Sequence, residues 1–195
     1  MRTFDQIKKF LADKKVGIAG AGGLGSNVAT SLARCGIGHL VIADYDSVTA
    51  DSLNRQYFFY DQIGRKKVDA LQHILGKINP DTKVEAHDIK LTEDKVIELF
   101  SDCEVIVEAI GDARIKQRLI ESVLVKLPEK NLVIASGLAG YGNNNRFTTE
   151  QYDKLWVCGD QEAEVHQLNP PLSPGVGIVA NMQANVVLEL LLAKD

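Results

Sequence analysis

A glycine-rich stretch follows the first apolar run of the chain. Residues 20–25 read GAGGLG and include an extra glycine, Gly23. The G-x-G-x-x-G spacing is kept by Gly20, Gly22 and Gly25. Glycines at a strand-to-helix turn let the backbone approach a phosphate, and the free N–H groups at the start of the helix then face the negative charge. The spacing therefore predicts a nucleotide site. The alternative is a tight turn in which the glycines serve packing alone.

An acidic residue stands where a nucleotide ribose would lie. Asp44 ends the apolar run 39–43, about 20 residues beyond the glycines, and a carboxylate at that distance can accept hydrogen bonds from ribose hydroxyls. NAD-dependent dehydrogenases share both features, and a shared fold does not determine the chemistry. The glycines and Asp44 therefore predict a nucleotide without identifying it.

The elements that would position these residues predict an α/β fold. Strands are predicted at 16–19, 39–43, 84–87, 105–109 and 132–135, and helices at 3–13, 26–35, 66–78, 92–100, 114–126 and 177–193. This alternation predicts a Rossmann-like, doubly wound, mostly parallel sheet with helices on both faces. The less hydrophobic run 84–87 suits an edge strand, and 146–149 with 154–157 predict antiparallel strands near the C-terminus. We expect residues 1–195 to form one domain.

Composition narrows the class of protein. Apolar residues make up 45% and charged residues 25%, as in ordinary globular proteins, and the formal net charge of −4 argues against nucleic acid as the main partner. No apolar run reaches about 18 residues, so we expect no membrane contact. The three cysteines form no C-x-x-C pair, and the start of the chain lacks a signal-peptide core. We therefore expect reduced thiols, no zinc and a cytoplasmic location.

Four stretches together resemble the ThiF/MoeB family, the bacterial relatives of ubiquitin-activating enzymes. Residues 44–56, DYDSVTADSLNRQ, resemble the family's D-x-D-x-V-x-x-S-N-L-x-R-Q signature. Residues 64–68 (GRKKV) resemble its G-x-x-K-V, and 110–112 (IGD) resemble its T-D-N. Residues 174–184 (PGVGIVANMQA) resemble its P-x-x-G-x-x-x-x-x-Q-A stretch. The combination covers nearly the whole chain from Val16 onward and is far more specific than the glycine turn alone.

The resemblance implies an activity and its partners. Members of this family use ATP and Mg²⁺ to adenylate the C-terminal glycine of a small ubiquitin-like sulfur-carrier protein. A chain without zinc motifs or a cysteine-bearing loop resembles the short ThiF-type branch associated with thiamine biosynthesis. The implied partner is then a ThiS-like carrier with a Gly-Gly tail, and the family also implies a homodimer.

The resemblance also implies roles for individual residues. Arg55 and Lys67 would contact the triphosphate, Gln56 would add hydrogen bonds, and Asp44 would hold the ribose. Asp112 would hold Mg²⁺, an ion that proteins bind through one or two carboxylates together with phosphates. The implied catalytic residues are Arg55, Lys67 and Asp112, and the implied nucleotide-binding residues are Gly20, Gly22, Gly23, Gly25, Asp44, Ser52, Arg55, Gln56 and Lys67.

Several residues depart from the family pattern or have a structural alternative. Ser52 and Ala113 occupy positions where the family has asparagines, and no R-Y-x-R-Q element precedes the first strand. Lys67 could be a charge on an exposed helix face, and Asp112 could cap the helix that follows it. Cys158 stands among acidic neighbours, which favours a structural thiol over a reactive one.

Three other functions stay open at this point. An NAD-dependent oxidoreductase would explain the glycine turn and Asp44 but gives no role to Arg55, Gln56 or Lys67. ATP-dependent dehydration of a modified tRNA nucleoside would call for a basic surface, and the trio 65–67 is the only run of three basic residues. A non-catalytic module that binds nucleotide or carrier fits the changes at Ser52 and Ala113.

Overall fold

The computed structural model describes residues 2–193 and forms a seven-stranded sheet with six α-helices. The strands are β1 Lys15–Ala19, β2 His39–Asp44, β3 Lys83–Asp88, β4 Val105–Glu108, β5 Asn131–Ala135, β6 Thr148–Tyr152 and β7 Leu155–Gly159. The helices are α1 Phe4–Leu11, α2 Gly23–Cys35, α3 Lys67–Ile78, α4 Glu93–Phe100, α5 Ala113–Lys126 and α6 Ser173–Leu192. Short 3-10 helices cover Ala50–Asn54, Tyr60–Gln62 and Asn144–Arg146.

The strand order confirms the predicted fold class. The sheet runs β3-β2-β1-β4-β5-β7-β6, and its neighbouring strands are parallel except for the antiparallel pair β6–β7 near the C-terminus. β3 lies at one edge, as its weaker hydrophobicity predicts. The order reverses direction at β1, because β2 lies on one side of it and β4 on the other. Ligands of open α/β sheets bind at such a switch point, outside the carboxyl ends of the strands.

Alternate residues of each central strand face two separate cores, which confirms helices on both faces. In β2, Leu40 and Ile42 join the core that includes residues of α2, α3 and α6. Val41 and Ala43 join the opposite core, which includes residues of α4 and α5. Such fully buried, continuous apolar strands are typical of parallel sheets covered on both faces.

Helix α6 is the most apolar helix of the described chain and anchors the sheet. It begins at Ser173 rather than at the predicted residue 177, with Pro174 in its first turn, where the missing N–H is tolerated. The buried amide of Gln183 donates to the carbonyl of Glu108 over 3.0 Å. By length and composition alone α6 could cross a membrane, but half of its apolar window is buried in the protein, and core helices meet the same criterion.

Candidate nucleotide site

One cavity opens at the carboxyl ends of β1, β2, β4 and β5, and it collects most of the predicted site residues. Its volume is about 510 Å³, within the range of small-molecule sites. Among the predicted residues, its lining includes Gly20, Gly22, Gly23, Asp44, Arg55, Gln56, Lys67 and Asp112. Gly25 and Ser52 lie outside this lining. The chain segments that form the glycine turn, the signature 44–56 and the start of α5 therefore converge on one space.

The glycines of the turn have different structural roles. A Cβ on Gly25 would lie 1.8 Å from the carbonyl oxygen of Gly20, so only glycine lets α2 pack against the turn. Gly20 has a φ of +105°, which other residues rarely adopt. A Cβ on Gly22 would meet nothing within 4 Å, so the space beside it is open to a ligand. No side chain caps α2 in the described chain, and Gly22, Gly23 and Leu24 at its start line the cavity. The uncapped N–H groups of a helix start are the donors that an anion site uses.

Asp44 holds the glycine turn against β2. Its Oδ2 accepts a hydrogen bond of 2.7 Å from the amide of Ala21, and its Oδ1 accepts one of 2.8 Å from the amide of Asp46. Each carboxylate oxygen can accept a further hydrogen bond. Asp44 can therefore position the turn and still contact a ribose in the cavity that it lines.

Arg55 and Gln56 are held beside the glycine turn by the first residues of α2. Asn27 Nδ2 donates to the carbonyls of Gly23 and Arg55, over 2.6 and 3.0 Å. The Arg55 guanidinium donates to Asn54 Oδ1 over 2.7 Å. The side-chain oxygen of Gln56 is buried and has no hydrogen-bond partner among residues 2–193. Gln56 lines the cavity, so a hydrogen-bond donor of a ligand bound there would satisfy this oxygen. Asn27, which the sequence analysis passed over, is the residue that orients this segment.

Lys67 is buried, so it is not a charge on an exposed helix face. It is the first residue of α3 and only 7% exposed. Its ammonium contacts Asp46 Oδ2 at 2.8 Å, and both residues line the cavity. Since a buried ammonium needs a compensating anion, Asp46 holds the charge of Lys67 in place beside the glycine turn.

Asp112 caps α5, and the cap leaves one oxygen available. Its Oδ1 accepts hydrogen bonds from the amides of Arg114 and Ile115 at 2.9 and 3.1 Å. These bonds lower the pKa of the Asp112 carboxyl, because they stabilise its ionised form. Its Oδ2 has no hydrogen-bond partner in the described part of the chain, and the residue lines the cavity. Asp112 therefore does cap α5, as the alternative interpretation predicted, and its second carboxylate oxygen stays available to an ion.

Ser52 acts within its own turn. It is 4% exposed, and its Oγ accepts a hydrogen bond of 3.1 Å from the amide of Thr49. This bond closes the 3-10 helix Ala50–Asn54, which leads into Arg55. In this structure the serine stabilises the segment that carries Arg55 and does not itself reach the cavity.

The sequence analysis missed an ion pair at the inner end of the cavity. Glu108, the last residue of β4, is fully buried, and its Oε2 lies 2.6 Å from the ammonium of Lys116 on α5. Lys116 also donates to the carbonyl of Ala135, and it lines the cavity. Burial raises the pKa of Glu108, with Lys116 opposing the shift. A glutamate within the otherwise apolar run 105–109 is the signal that could have indicated this pair.

The cysteines support the structural interpretation. Cys158 is buried in β7, and burial raises the pKa of its thiol. Burial raises the pKa of Cys103 to about 12, so that thiol stays protonated at neutral pH. Within the described residues, no group of three or more His, Cys, Asp and Glu side chains could hold a metal ion.

The switch-point cavity, the glycine turn and the acidic end of β2 form the arrangement in which open α/β sheets of the Rossmann type hold their ligands. A sequence model of the ThiF family matches residues 3–195, and the chain belongs to the ThiF family. The predicted resemblance is thereby confirmed at the level of the family.

Curated relatives match part of this chain. Ubiquitin-like modifier-activating enzyme 5 of Caenorhabditis briggsae is 36% identical over 124 residues, which cover 64% of this chain and 26% of that protein. The same enzyme of Drosophila simulans is 45% identical over 102 residues, which cover 52% of this chain and 24% of that protein. The matched region is therefore about a quarter of the length of these relatives.

Two solved structures share the fold. The Escherichia coli tRNA N6-threonylcarbamoyladenosine dehydratase TcdA, in complex with AMP, has a TM-score of 0.86 at 23% identity, and the match covers 96% of this chain and 90% of that one. Escherichia coli MccB with ATP has a TM-score of 0.72 at 21% identity, covering 95% and 57%. At these identities the comparison establishes the fold alone.

Proposed function

We propose that this protein activates a carboxylate with ATP. A carboxylate oxygen of the substrate attacks the α-phosphorus, the bond from that phosphorus to the oxygen bridging to the β-phosphate breaks, and pyrophosphate leaves. The products are an acyl-adenylate and pyrophosphate, and no proton has to move. The observation that carries the proposal is the buried ammonium of Lys67, which lines the same cavity as the glycine turn.

Two negatively charged reactants must meet in this reaction, so fixed positive groups are needed. Arg55 and Lys67 supply them, and each is already oriented, Arg55 by Asn54 Oδ1 and Lys67 by Asp46 Oδ2. Because these partners fix the cations before the substrates bind, little reorganisation is needed during the reaction. The first N–H groups of α2 provide further donors to the phosphates.

The donor set near Asp112 fits Mg²⁺ bound mainly by phosphate. Asp112 offers one carboxylate oxygen in the cavity, and Mg²⁺ at nucleotide sites takes one or two carboxylates with the remaining ligands from phosphates and water. When bound, the ion would neutralise phosphate charge and polarise the phosphoryl oxygens. Asp112 would hold the ion, while Arg55 and Lys67 would orient the triphosphate.

The carboxylate that we propose as the substrate is the C-terminal glycine of a small ubiquitin-fold protein. The ubiquitin-like modifier-activating enzymes among the relatives support this class of partner. Within this class we propose a ThiS-like sulfur carrier with a Gly-Gly tail, in thiamine biosynthesis, from the resemblance to the short ThiF-type branch. The homodimer that the resemblance implies stays a prediction, which analytical ultracentrifugation can test.

Carrier-dependent exchange of labelled pyrophosphate into ATP tests this proposal. We expect exchange with ATP, Mg²⁺ and a ThiS-like carrier, and none with the same carrier lacking its last glycine. Exchange with a ubiquitin-like modifier but not with a ThiS-like carrier would support adenylation and contradict the role in thiamine biosynthesis. The absence of exchange with every carrier, together with ATP binding, would instead support the non-catalytic module.

The basic trio 65–67 gives no support to a tRNA substrate. Of the basic trio 65–67, Lys66 lies 3.0 Å from Asp88 and Lys67 is buried beside Asp46. The trio therefore does not form a basic patch of the kind that RNA phosphates require.

For the NAD-dependent alternative, we expect ATP with Mg²⁺ to raise the unfolding temperature more than NAD does, because only a ligand of the native state stabilises it.

A further inference from the structure

The ion pair Glu108–Lys116 has no role in nucleotide binding as described so far, although Lys116 lines the same cavity. Glu108 is fully buried, and its two oxygens face the Lys116 ammonium at 2.6 Å and the amide of Ile110 at 2.7 Å. A buried ion pair contributes little net stability, because desolvation offsets the attraction between the charges. Buried titratable pairs in a cleft are more typical of functional sites.

Lys116 joins the ends of two neighbouring strands. Its ammonium contacts the carboxylate of Glu108 at the end of β4 and the carbonyl of Ala135 at the end of β5. An ammonium has three N–H donors, and these two contacts leave the third. The Lys116 side chain is 22% exposed and lines the cavity, so this donor is available to a ligand there.

The position of Lys116 differs from that of the other cations. Within the described residues, four basic side chains line the cavity: Arg55, Lys67, Lys90 and Lys116. Lys116 belongs to α5, and the other three precede that helix in the chain. In the order β2-β1-β4-β5, Asp44 and the glycine turn belong to the β2 and β1 side, where ribose and phosphates would lie. Next to β5, the segment Ser136–Leu138 lines the cavity and contributes no charge. Lys116 thus lies at the ends of β4 and β5, on the opposite side of β1 from Asp44.

We propose that Lys116 binds the carboxylate of the acyl substrate and holds it toward the α-phosphate, with Glu108 as its positioning residue. The inference rests on the proposed adenylation and adds the residue that binds the substrate carboxylate, the reactant other than ATP. Because Glu108 neutralises the charge of Lys116, the lysine acts through a directed hydrogen bond rather than through long-range attraction. The carbonyl of Ala135 fixes the direction of that bond.

The test compares two forms of one carrier. A ThiS-like carrier is prepared with its natural C-terminal carboxylate and, by semisynthesis, with a C-terminal carboxamide. Each is titrated by calorimetry into the protein loaded with Mg²⁺ and a non-hydrolysable ATP analogue. We expect wild type to prefer the carboxylate, and Lys116→Met to reduce this preference by about tenfold, as expected for a hydrogen bond to a charged group. Lys126→Met, on the same helix but outside the cavity lining, should keep the preference.

A second variant distinguishes the loss of the Lys116 donor from misfolding. Lys116→Met alone leaves Glu108 buried and unpaired, whereas Glu108→Gln/Lys116→Met removes both charges. We expect the double variant to unfold cooperatively, to bind the ATP analogue within about twofold of wild type, and to lose the preference for the carboxylate. Lys116→Arg should restore part of the preference, since it retains donors.

The possible outcomes separate this inference from the proposed function. A double variant that keeps the full preference overturns the role of Lys116, while pyrophosphate exchange by wild type leaves adenylation standing. A parallel loss of affinity for the ATP analogue, with the preference unchanged, assigns Lys116 to the nucleotide and also overturns the inference. Wild type that shows neither preference nor exchange overturns both proposals.

Discussion

The ammonium of Lys67 lies 2.8 Å from Asp46 Oδ2, and this contact places a buried cation beside the glycine turn. The two residues come from different elements, since Asp46 follows β2 and Lys67 begins α3. The backbone supports the same contact, because the amide of Lys67 donates to the carbonyl of Asp46 over 3.0 Å. The start of α3 is thereby fixed against the end of β2.

We predict that Lys67→Met lowers pyrophosphate exchange by about 100-fold, the effect of removing one preorganised electrostatic donor. Lys77→Met, near the end of the same helix and exposed, should leave exchange within about twofold of wild type. Steady-state rates at saturating ATP, with unfolding temperatures for both variants, check the prediction. Equal rates for the two variants would remove Lys67 from the site.

A second prediction separates the two roles of Asp112. Asp112→Ser retains an oxygen that can cap α5 but loses the carboxylate, and Asp112→Ala loses both. We expect both variants to lose most Mg²⁺-dependent exchange, whereas only Asp112→Ala should lower the unfolding temperature, by roughly 2–4 °C for a lost cap. Titration of Mg²⁺ at fixed ATP gives the first readout and thermal unfolding the second. An active Asp112→Ser would show that the residue serves only as a cap.

The glycine turn offers a matched pair of substitutions. A Cβ at position 25 would lie 1.8 Å from the Gly20 carbonyl oxygen, whereas one at position 22 would meet no protein atom within 4 Å. We expect Gly25→Ala to destabilise the fold, because the clash is with backbone. Gly22→Ala should fold normally but bind ATP about tenfold more weakly, because its methyl group occupies ligand space. Thermal unfolding and calorimetry distinguish these effects, and unchanged ATP affinity in Gly22→Ala would place the phosphates elsewhere.

Local sequence patterns predicted most of the helices and strands. The strands other than β6 and the helices α1, α3, α4 and α5 lie close to their predicted positions, because apolar periodicity and caps such as Thr92 are properties of a few adjacent residues. β6 was predicted at 146–149 but runs from Thr148 to Tyr152, and residue 146 ends a 3-10 helix. The start of α2 was predicted at residue 26, but the helix begins at Gly23. Glycine has a poor helix propensity, and here the close approach of Gly25 to the Gly20 carbonyl and Ala109 requires glycine within the helix. The 3-10 helix Ala50–Asn54 within the signature 44–56 was not predicted, because a single turn closed by the bond between Thr49 and Ser52 leaves no apolar periodicity in the sequence.

The site was predictable where a motif is contiguous. Arg55, Gln56 and Lys67 belong to such motifs and line the cavity. Ser52 occupies a motif position but hydrogen-bonds within its own turn, which spacing alone could not show. The pairing of Glu108 with Lys116 depends on how α5 returns over β4 and β5, so it becomes visible only in three dimensions.

A fourth prediction concerns the pH dependence of stability. Burial raises the pKa of Glu108 above its ordinary value of 4.5. A carboxyl whose pKa is raised by folding contributes stability below its unfolded pKa, and that contribution is lost as pH rises through the folded pKa. We therefore expect Glu108→Gln/Lys116→Met to gain stability relative to wild type as pH rises from 4.5 to neutrality. Denaturant titrations of both proteins across this range test the sign, and a difference that falls with pH would contradict it.

The central claim is that a carboxylate oxygen of the substrate attacks the α-phosphorus of ATP, and isotope transfer tests it directly. A ThiS-like carrier labelled with ¹⁸O in its C-terminal carboxylate is incubated with the protein, ATP, Mg²⁺ and hydroxylamine, which captures the activated acyl group. We predict that the released AMP carries one ¹⁸O atom by mass spectrometry, because the attacking oxygen stays on the phosphorus. AMP without the label, or label found only in inorganic phosphate, would contradict the proposed adenylation.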